Sequence, residues 1–208
     1  MEYKARHDLH IARRLWHFGG VMFVFFLYNY LDQAQAVTTS LTVSLIMVTT
    51  DWARLRIEKL GRFFRWLFGP VLRESELHQL TASTAMVIGL TIVICVFPRP
   101  VTGLTLLFLA VADPLASLVG ILYGKDKLVG NKSLQGTLAA FASCFILSYV
   151  YLARQGLMEE RPFIVCTLAG LIGAISELIP IFKLDDNFVF PVLSATLLTG
   201  LFYLFGGL

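Results

Sequence analysis

Seven apolar runs, each close to the length of a bilayer-spanning helix, follow one another within 208 residues. They cover roughly 15–31, 36–53, 81–97, 101–123, 133–153, 162–181 and 188–205. A hydrocarbon core of about 30 Å takes about 20 residues as helix, and a helix in lipid satisfies its own backbone hydrogen bonds. Only 15% of the residues are charged and 57% are hydrophobic, too little charge to keep a soluble domain of this length in solution. The runs therefore predict an all-α, polytopic membrane helical bundle of about seven transmembrane helices, forming a single integral membrane domain over residues 1–208. No polar stretch is long enough for a second, soluble domain, and no cleavage site follows the first run.

Charge placement orients the bundle. With the N-terminus inside, Arg99, Arg154 and Arg161 are the only outside members of the 17 Lys and Arg. Such asymmetry favours a cytoplasmic N-terminus and a C-terminus outside. Residues 55–77 mix Leu60, Phe63, Phe64, Trp66, Leu67 and Phe68 with Arg56, Lys59, Arg62 and Arg65, the pattern of an amphipathic helix lying in the cytoplasmic interface. Cys95, Cys144 and Cys166 sit inside apolar runs without metal-ligand spacing, so they read as core or lipid-facing residues. Nothing in the pattern points to nucleic acid.

Ionisable residues inside spans are costly and mark function by default. Asp51 and Glu177 lie near the cytoplasmic ends of their spans, and Asp113 lies deeper, with Pro114 expected to kink the helix. On a helix, Asp113, Ser117, Gly120 and Gly124 share one polar, small face. Beyond it come Lys125, Lys127 and Lys132, then Ser133 as an N-cap, with Gly136 and Thr137 in the first turn that follows. A helix N-terminus behind lysines and glycines favours phosphate. Lys127 alone reads as an ordinary positive-inside residue, whereas Lys125 and Lys132 are candidate phosphate contacts. A second cluster, Glu177 with Asp185, Asp186 and Asn187, reaches the same side, although Asp185 suits a plain helix cap. Carboxylates facing a cationic loop suit Mg²⁺ and a nucleoside triphosphate, and no Walker pattern is present. Arg14 and His17 open the first span as further candidates. His17 could be a base, a phosphate contact or an interfacial residue; His7, His10 and His78 read as interfacial.

Two of these stretches resemble the signature of the CTP-dependent lipid kinases: dolichol kinase, phytol kinase and the CTP-using diacylglycerol kinase. The first is Asp113, Ala116, Gly120, Gly124, Lys125, Lys132, Ser133 and Gly136; the second is Glu177, Asp186, Asn187 and Pro191. Arg13, Arg14 and His17 resemble the family's N-terminal basic pair and histidine. The chain departs from the pattern at Ala112, where glycine is usual, and at Gln135, where glutamate is usual. The resemblance implies an enzyme that moves the γ-phosphate of CTP to a membrane lipid alcohol, diacylglycerol or a polyprenol such as dolichol. Asp113, Glu177 and Asp186 would bind Mg²⁺ or take the hydroxyl proton, the lysines would meet phosphate, and Gly124 and Gly136 would let backbone approach the ligand. The related phosphatidate cytidylyltransferases offer an alternative, with Arg14 or Arg73 on the lipid phosphate. A non-enzymatic alternative is a small ion-coupled transporter using Asp113 and Glu177. The acceptor and the oligomeric state stay open; Gly170 and Gly173 could pack within one bundle or between two.

Overall fold

The computed structural model of the protein describes residues 11–72, 74–181 and 184–208. Lys4, Arg6, His7, His10, Arg73 and Lys183 lie outside the described residues. All seven apolar runs are helical, with bounds within four residues of those read from sequence. They are α1 (Ile11–Tyr30), α2 (Gln33–Arg56), α4 (Ala82–Val96), the unit α5–π–α6, α7 (Leu134–Gln155), α8 (Pro162–Leu178) and α9 (Asp186–Leu204). The compound unit joins α5 (Arg99–Leu107) through a π turn (Phe108–Ala112) to α6 (Asp113–Tyr123). Helix α3 (Glu58–Phe68) and a 3₁₀ turn (Glu74–Leu77) connect α2 to α4.

Three helices among the described residues are both long and apolar enough to cross a membrane: Arg99–Tyr123, Leu134–Gln155 and Asp186–Leu204. Helices α4 and α8 are apolar but shorter, and α1 and α2 have the length with a more polar composition. Large apolar side chains such as Phe23, Phe26, Leu45, Ile146, Phe163 and Leu204 face outward, as a lipid-facing surface requires. The core lies among α4, the compound unit, α7, α8 and α9, where Leu104, Phe108, Leu198 and Phe202 are fully buried.

Small residues set the helix approaches. A Cβ on Gly170 would lie 3.1 Å from Phe141, and one on Gly173 would lie 2.9 Å from Cys144 Cβ. This glycine face is therefore occupied within the chain, by α7. At the end opposite the carboxylate cluster, Arg99 closes the C-terminus of α1 by donating to Tyr28 O (2.7 Å) and Leu31 O (3.0 Å).

One element escaped the sequence reading. Residues between α6 and α7 form a small antiparallel hairpin, β1 (Lys127–Val129) with β2 (Lys132–Ser133). Gly130, at φ +56°, makes its tight turn in a conformation open to glycine at little cost.

Candidate active site

Pro114 shapes the deepest part of the site. A proline has no N–H and its ring collides with the carbonyl four residues back in a regular helix. Just before this proline the helix widens into the π turn, in which the Asp113 N–H reaches back to Phe108 O. In the same register Leu109 O would need the N–H of residue 114, which proline lacks. His17 of α1 lies in its place, its Nε2 3.0 Å from Leu109 O, so this nitrogen carries the proton it donates. His17 Nε2 is also 3.8 Å from Asp113 Oδ2. One turn earlier, Arg14 Nη2 donates to Ser117 Oγ at 3.0 Å. The basic residues that open α1 are thus fastened to the face of α6 that carries Asp113.

Helices α6 and α7 meet through glycine. A Cβ at Gly124 would collide with Gly120 O and lie 2.5 Å from Ser133 Oγ; one at Gly136 would lie 2.8 Å from Ala116 O. Gly124 and Gly136 are therefore required for the close approach of α6 and α7, and with Gly120 they also line the cavity described below. Ser133 caps α7, its Oγ accepting from Gly136 N at 3.3 Å.

Lys132 joins the two acidic stretches. Its Nζ lies 3.4 Å from Glu177 Oε1 and 3.2 Å from Asp186 Oδ2, and it donates to the Glu177 carbonyl oxygen. Asp185 is the N-cap of α9, accepting from Asn187 N (2.9 Å) and Asn187 Nδ2 (2.7 Å). The bond to Nδ2 leaves the Asn187 side-chain oxygen directed elsewhere.

A cavity of about 1070 Å³ lies between these elements. Asp113, Ser117, Gly120 and Gly124 form one wall, Lys132, Ser133, Gly136 and Thr137 a second, and Glu177, Asp185, Asp186 and Asn187 a third. Lys125 and Lys127 are both exposed; Lys127 belongs to this lining and Lys125 does not. The hairpin sets the difference: the Lys125 backbone N–H is held by Gln135 Oε1 (3.0 Å), while Lys127 sits opposite Ser133 and donates to Asn131 O (2.8 Å). Gln135 also donates from Nε2 to Asp126 Oδ2 at 2.8 Å, which a glutamate could not do.

Among the described residues, four buried polar atoms near the site have no hydrogen-bond partner: Arg14 Nη1, Thr137 Oγ1, Ser176 Oγ and Glu177 Oε2. Thr137 and Glu177 line the cavity itself and Arg14 the smaller space beside it; burying such atoms unpaired costs about 1–3 kcal/mol each, so they mark a place for a polar ligand. Among the described residues no three His, Cys, Asp or Glu side chains stand close enough to hold a metal by themselves. The donor set excludes a cage of the zinc kind. It fits a cation such as Mg²⁺, which takes one or two carboxylates and fills its shell with water and phosphate oxygens.

Asp51 lines none of these spaces. It accepts from Thr81 N (2.7 Å) and Thr81 Oγ1 (3.0 Å) and is paired with Arg54, whose Nη2 donates to Gln79 O (2.7 Å). This buried network fastens the start of α4 to α2. Glu76, which the sequence reading passed over, meets Arg13 at 3.3 Å and accepts from Ala82 N at 3.2 Å. Glu58 and Glu74 lie in the same basic connecting segment, so sequence carried no signal that set Glu76 apart. His78 is exposed.

Curated proteins similar to this chain are named CTP-dependent diacylglycerol kinase 1. The protein from Schizosaccharomyces pombe is 38% identical over 72% of this chain and 73% of its own length. Those from Saccharomyces cerevisiae and Eremothecium gossypii are 26% and 28% identical over 93% of this chain, and 73% and 67% of their own lengths. No family model and no solved structure matches the chain.

Proposed function

The chain belongs to the CTP-dependent lipid kinase family, and from that premise we propose that it transfers the γ-phosphate of CTP to the hydroxyl of diacylglycerol at the cytoplasmic face of a membrane. The observation that carries this reading is a cavity lined by Asp113, Glu177, Asp186 and Lys132, on which the buried Thr137 Oγ1 and Glu177 Oε2 have no hydrogen-bond partner. The relatives' names favour diacylglycerol over a polyprenol as acceptor. The seven helical runs and the placement of Lys and Arg support seven spans with the N-terminus inside and the C-terminus outside.

CTP occupies the large cavity, its phosphates toward Lys132, Lys127 and the capped start of α7, where Ser133 and Thr137 stand. Glu177 and Asp186 would hold Mg²⁺, which when bound neutralises charge across the phosphate oxygens. Asp113 lies where the large cavity meets the space beside Arg14 and His17, and there it takes the proton of the acceptor hydroxyl. The lipid oxygen forms a bond to the γ-phosphorus, the bond from that phosphorus to the β–γ bridging oxygen breaks, and CDP leaves. Arg14 Nη1 and Lys132 Nζ meet the charge that develops on the transferring group, usually the largest protein contribution to phosphoryl transfer. Asn187 orients the acceptor or the γ-phosphate. His17 positions the turn that bears Asp113.

The test uses the purified protein in detergent with Mg²⁺, diacylglycerol, a polyprenol or phosphatidate, and CTP labelled at the α- or γ-phosphate. Label in diacylglycerol from γ-labelled CTP alone is expected. Transfer from the α position would mean cytidylyl transfer, transfer to the polyprenol alone would change the acceptor, and the absence of both nucleotide binding and transfer would favour a transporter.

A further inference from the structure

The large cavity does not end at Asp113. A smaller space of about 290 Å³ continues from it, bounded by Arg14, His17, Asp113, Ser117 and Asn187. Beyond His17 and Asn187 lies a third space of about 270 Å³, between α1, α2, α3 and the start of α4. Asn187 lines all three, so they run in one sequence from the hairpin to α3. Their character changes along the way: the walls of the third are Trp16, Met47, Phe64, Phe68, Val71 and Met86. Its aromatic side is ordered, with Phe64 and Phe68 rings 4.6 Å apart and Trp16 edge-on to Phe68 at 5.9 Å.

We propose that this third space is the acceptor slot, holding the glycerol and first acyl carbons of diacylglycerol with the free hydroxyl directed past His17 and Asn187 toward Asp113. This rests on the kinase reading and names the substrate's seat. Three observations commit the slot to a neutral lipid alcohol. Its surface is mostly apolar, and the guanidinium on its border, Arg13, is engaged with Glu76 at 3.3 Å, so a lipid phosphate would meet no cation set aside for it. Its inner end meets, at His17 and Asn187, the middle space that is lined by Asp113, the carboxylate proposed to take the hydroxyl proton. Its outer wall is α3, which exposes Phe63, Trp66 and Leu67 beside Arg62 and Arg65 as an interfacial helix does, so the slot lies next to the surface a lipid leaves. At about 30 Å³ per non-hydrogen atom, 270 Å³ holds about nine such atoms, enough for the glycerol and a few acyl carbons. The remainder of both chains lies outside, and the enzyme discriminates little by chain length.

The experiment has two arms, run on the full chain in detergent. In the first, Ser83→Phe fills the slot from the first turn of α4. The KM for diacylglycerol should rise at least tenfold, equally for dioctanoyl and long-chain species, with the KM for CTP within twofold of wild type. In the second, which needs no substitution, a diacylglycerol carrying a diazirine on its first acyl carbons is photolysed on the wild-type protein. Peptides containing Met47, Phe64, Phe68 or Met86 should carry the label. An unchanged KM in a folded Ser83→Phe, or label confined to the outer groove at Phe23, Val43 and Val87, would overturn the slot while leaving the kinase reading intact. A wild-type protein that moves γ-label to a polyprenol and never to diacylglycerol would overturn both the acceptor reading and the slot.

Discussion

Gln135 replaces the glutamate usual at its position, and the structure gives that replacement a partner. Its Oε1 accepts from Lys125 N (3.0 Å) and Asp126 N (3.4 Å), and its Nε2 donates to Asp126 Oδ2 (2.8 Å). Gln135→Glu keeps the acceptor and turns the donor into a second carboxylate oxygen against Asp126. At an exposed site the lost charge-assisted bond is worth about 1 kcal/mol. Two carboxylates relaxing to about 4 Å repel by about 1 kcal/mol more in water. The sum of about 2 kcal/mol is roughly a thirtyfold shift in how tightly the hairpin holds to α7. That hairpin carries Lys127 and Lys132, so the KM for CTP should rise by ten- to thirtyfold with little change in kcat. The repulsive half should fade with added salt. Asp126→Asn combined with Gln135→Glu reverses donor and acceptor, and should return the KM to within threefold of wild type. A single variant within twofold of wild type, or a double variant no better than the single, would refute the pairing.

Asp113→Asn should abolish transfer in a protein that still elutes as a folded species in detergent; retained turnover would remove Asp113 from the chemistry. Gly124→Ala should lower thermal stability by about 1–3 kcal/mol as α6 and α7 are forced apart, read from melting of the detergent-solubilised protein. Asp51→Ala breaks a buried pair and frees Thr81, and should cost about 3 kcal/mol of stability while the surviving folded enzyme keeps its KM for CTP. Pro114→Ala restores a backbone donor, removing the reason for the π turn and for the bond from His17. Turnover should fall roughly tenfold, the equivalent of one hydrogen bond of about 1.4 kcal/mol, with the KM for CTP unchanged.

The placement of the helices was legible in the sequence because it depends on local composition. Apolar runs of bilayer length, the helical spacing of Asp113, Ser117, Gly120 and Gly124, and the caps at Ser133 and Asp185 are set by residues a few positions apart. The two acidic stretches could be read in the same way, and so could their arrival on one side of the bundle, since successive antiparallel helices bring alternate connections together. Partners were a different matter. That Asp51 belongs to Thr81, that Glu76 holds Arg13, and that His17 takes up the carbonyl left by Pro114 are facts about segments distant in sequence. Periodicity fixes the face on which a side chain lies and carries no information about what packs against that face. The same holds for the glycines where α6 meets α7, and for the placement of Lys127 on the cavity, set by a two-strand hairpin whose cue was only Gly130 and Asn131. Sequence alone determined the helices and the charges they carry to one end. Tertiary structure decided which charges are spent on holding the bundle and which are left facing the cavity, because that division depends on distances between helices.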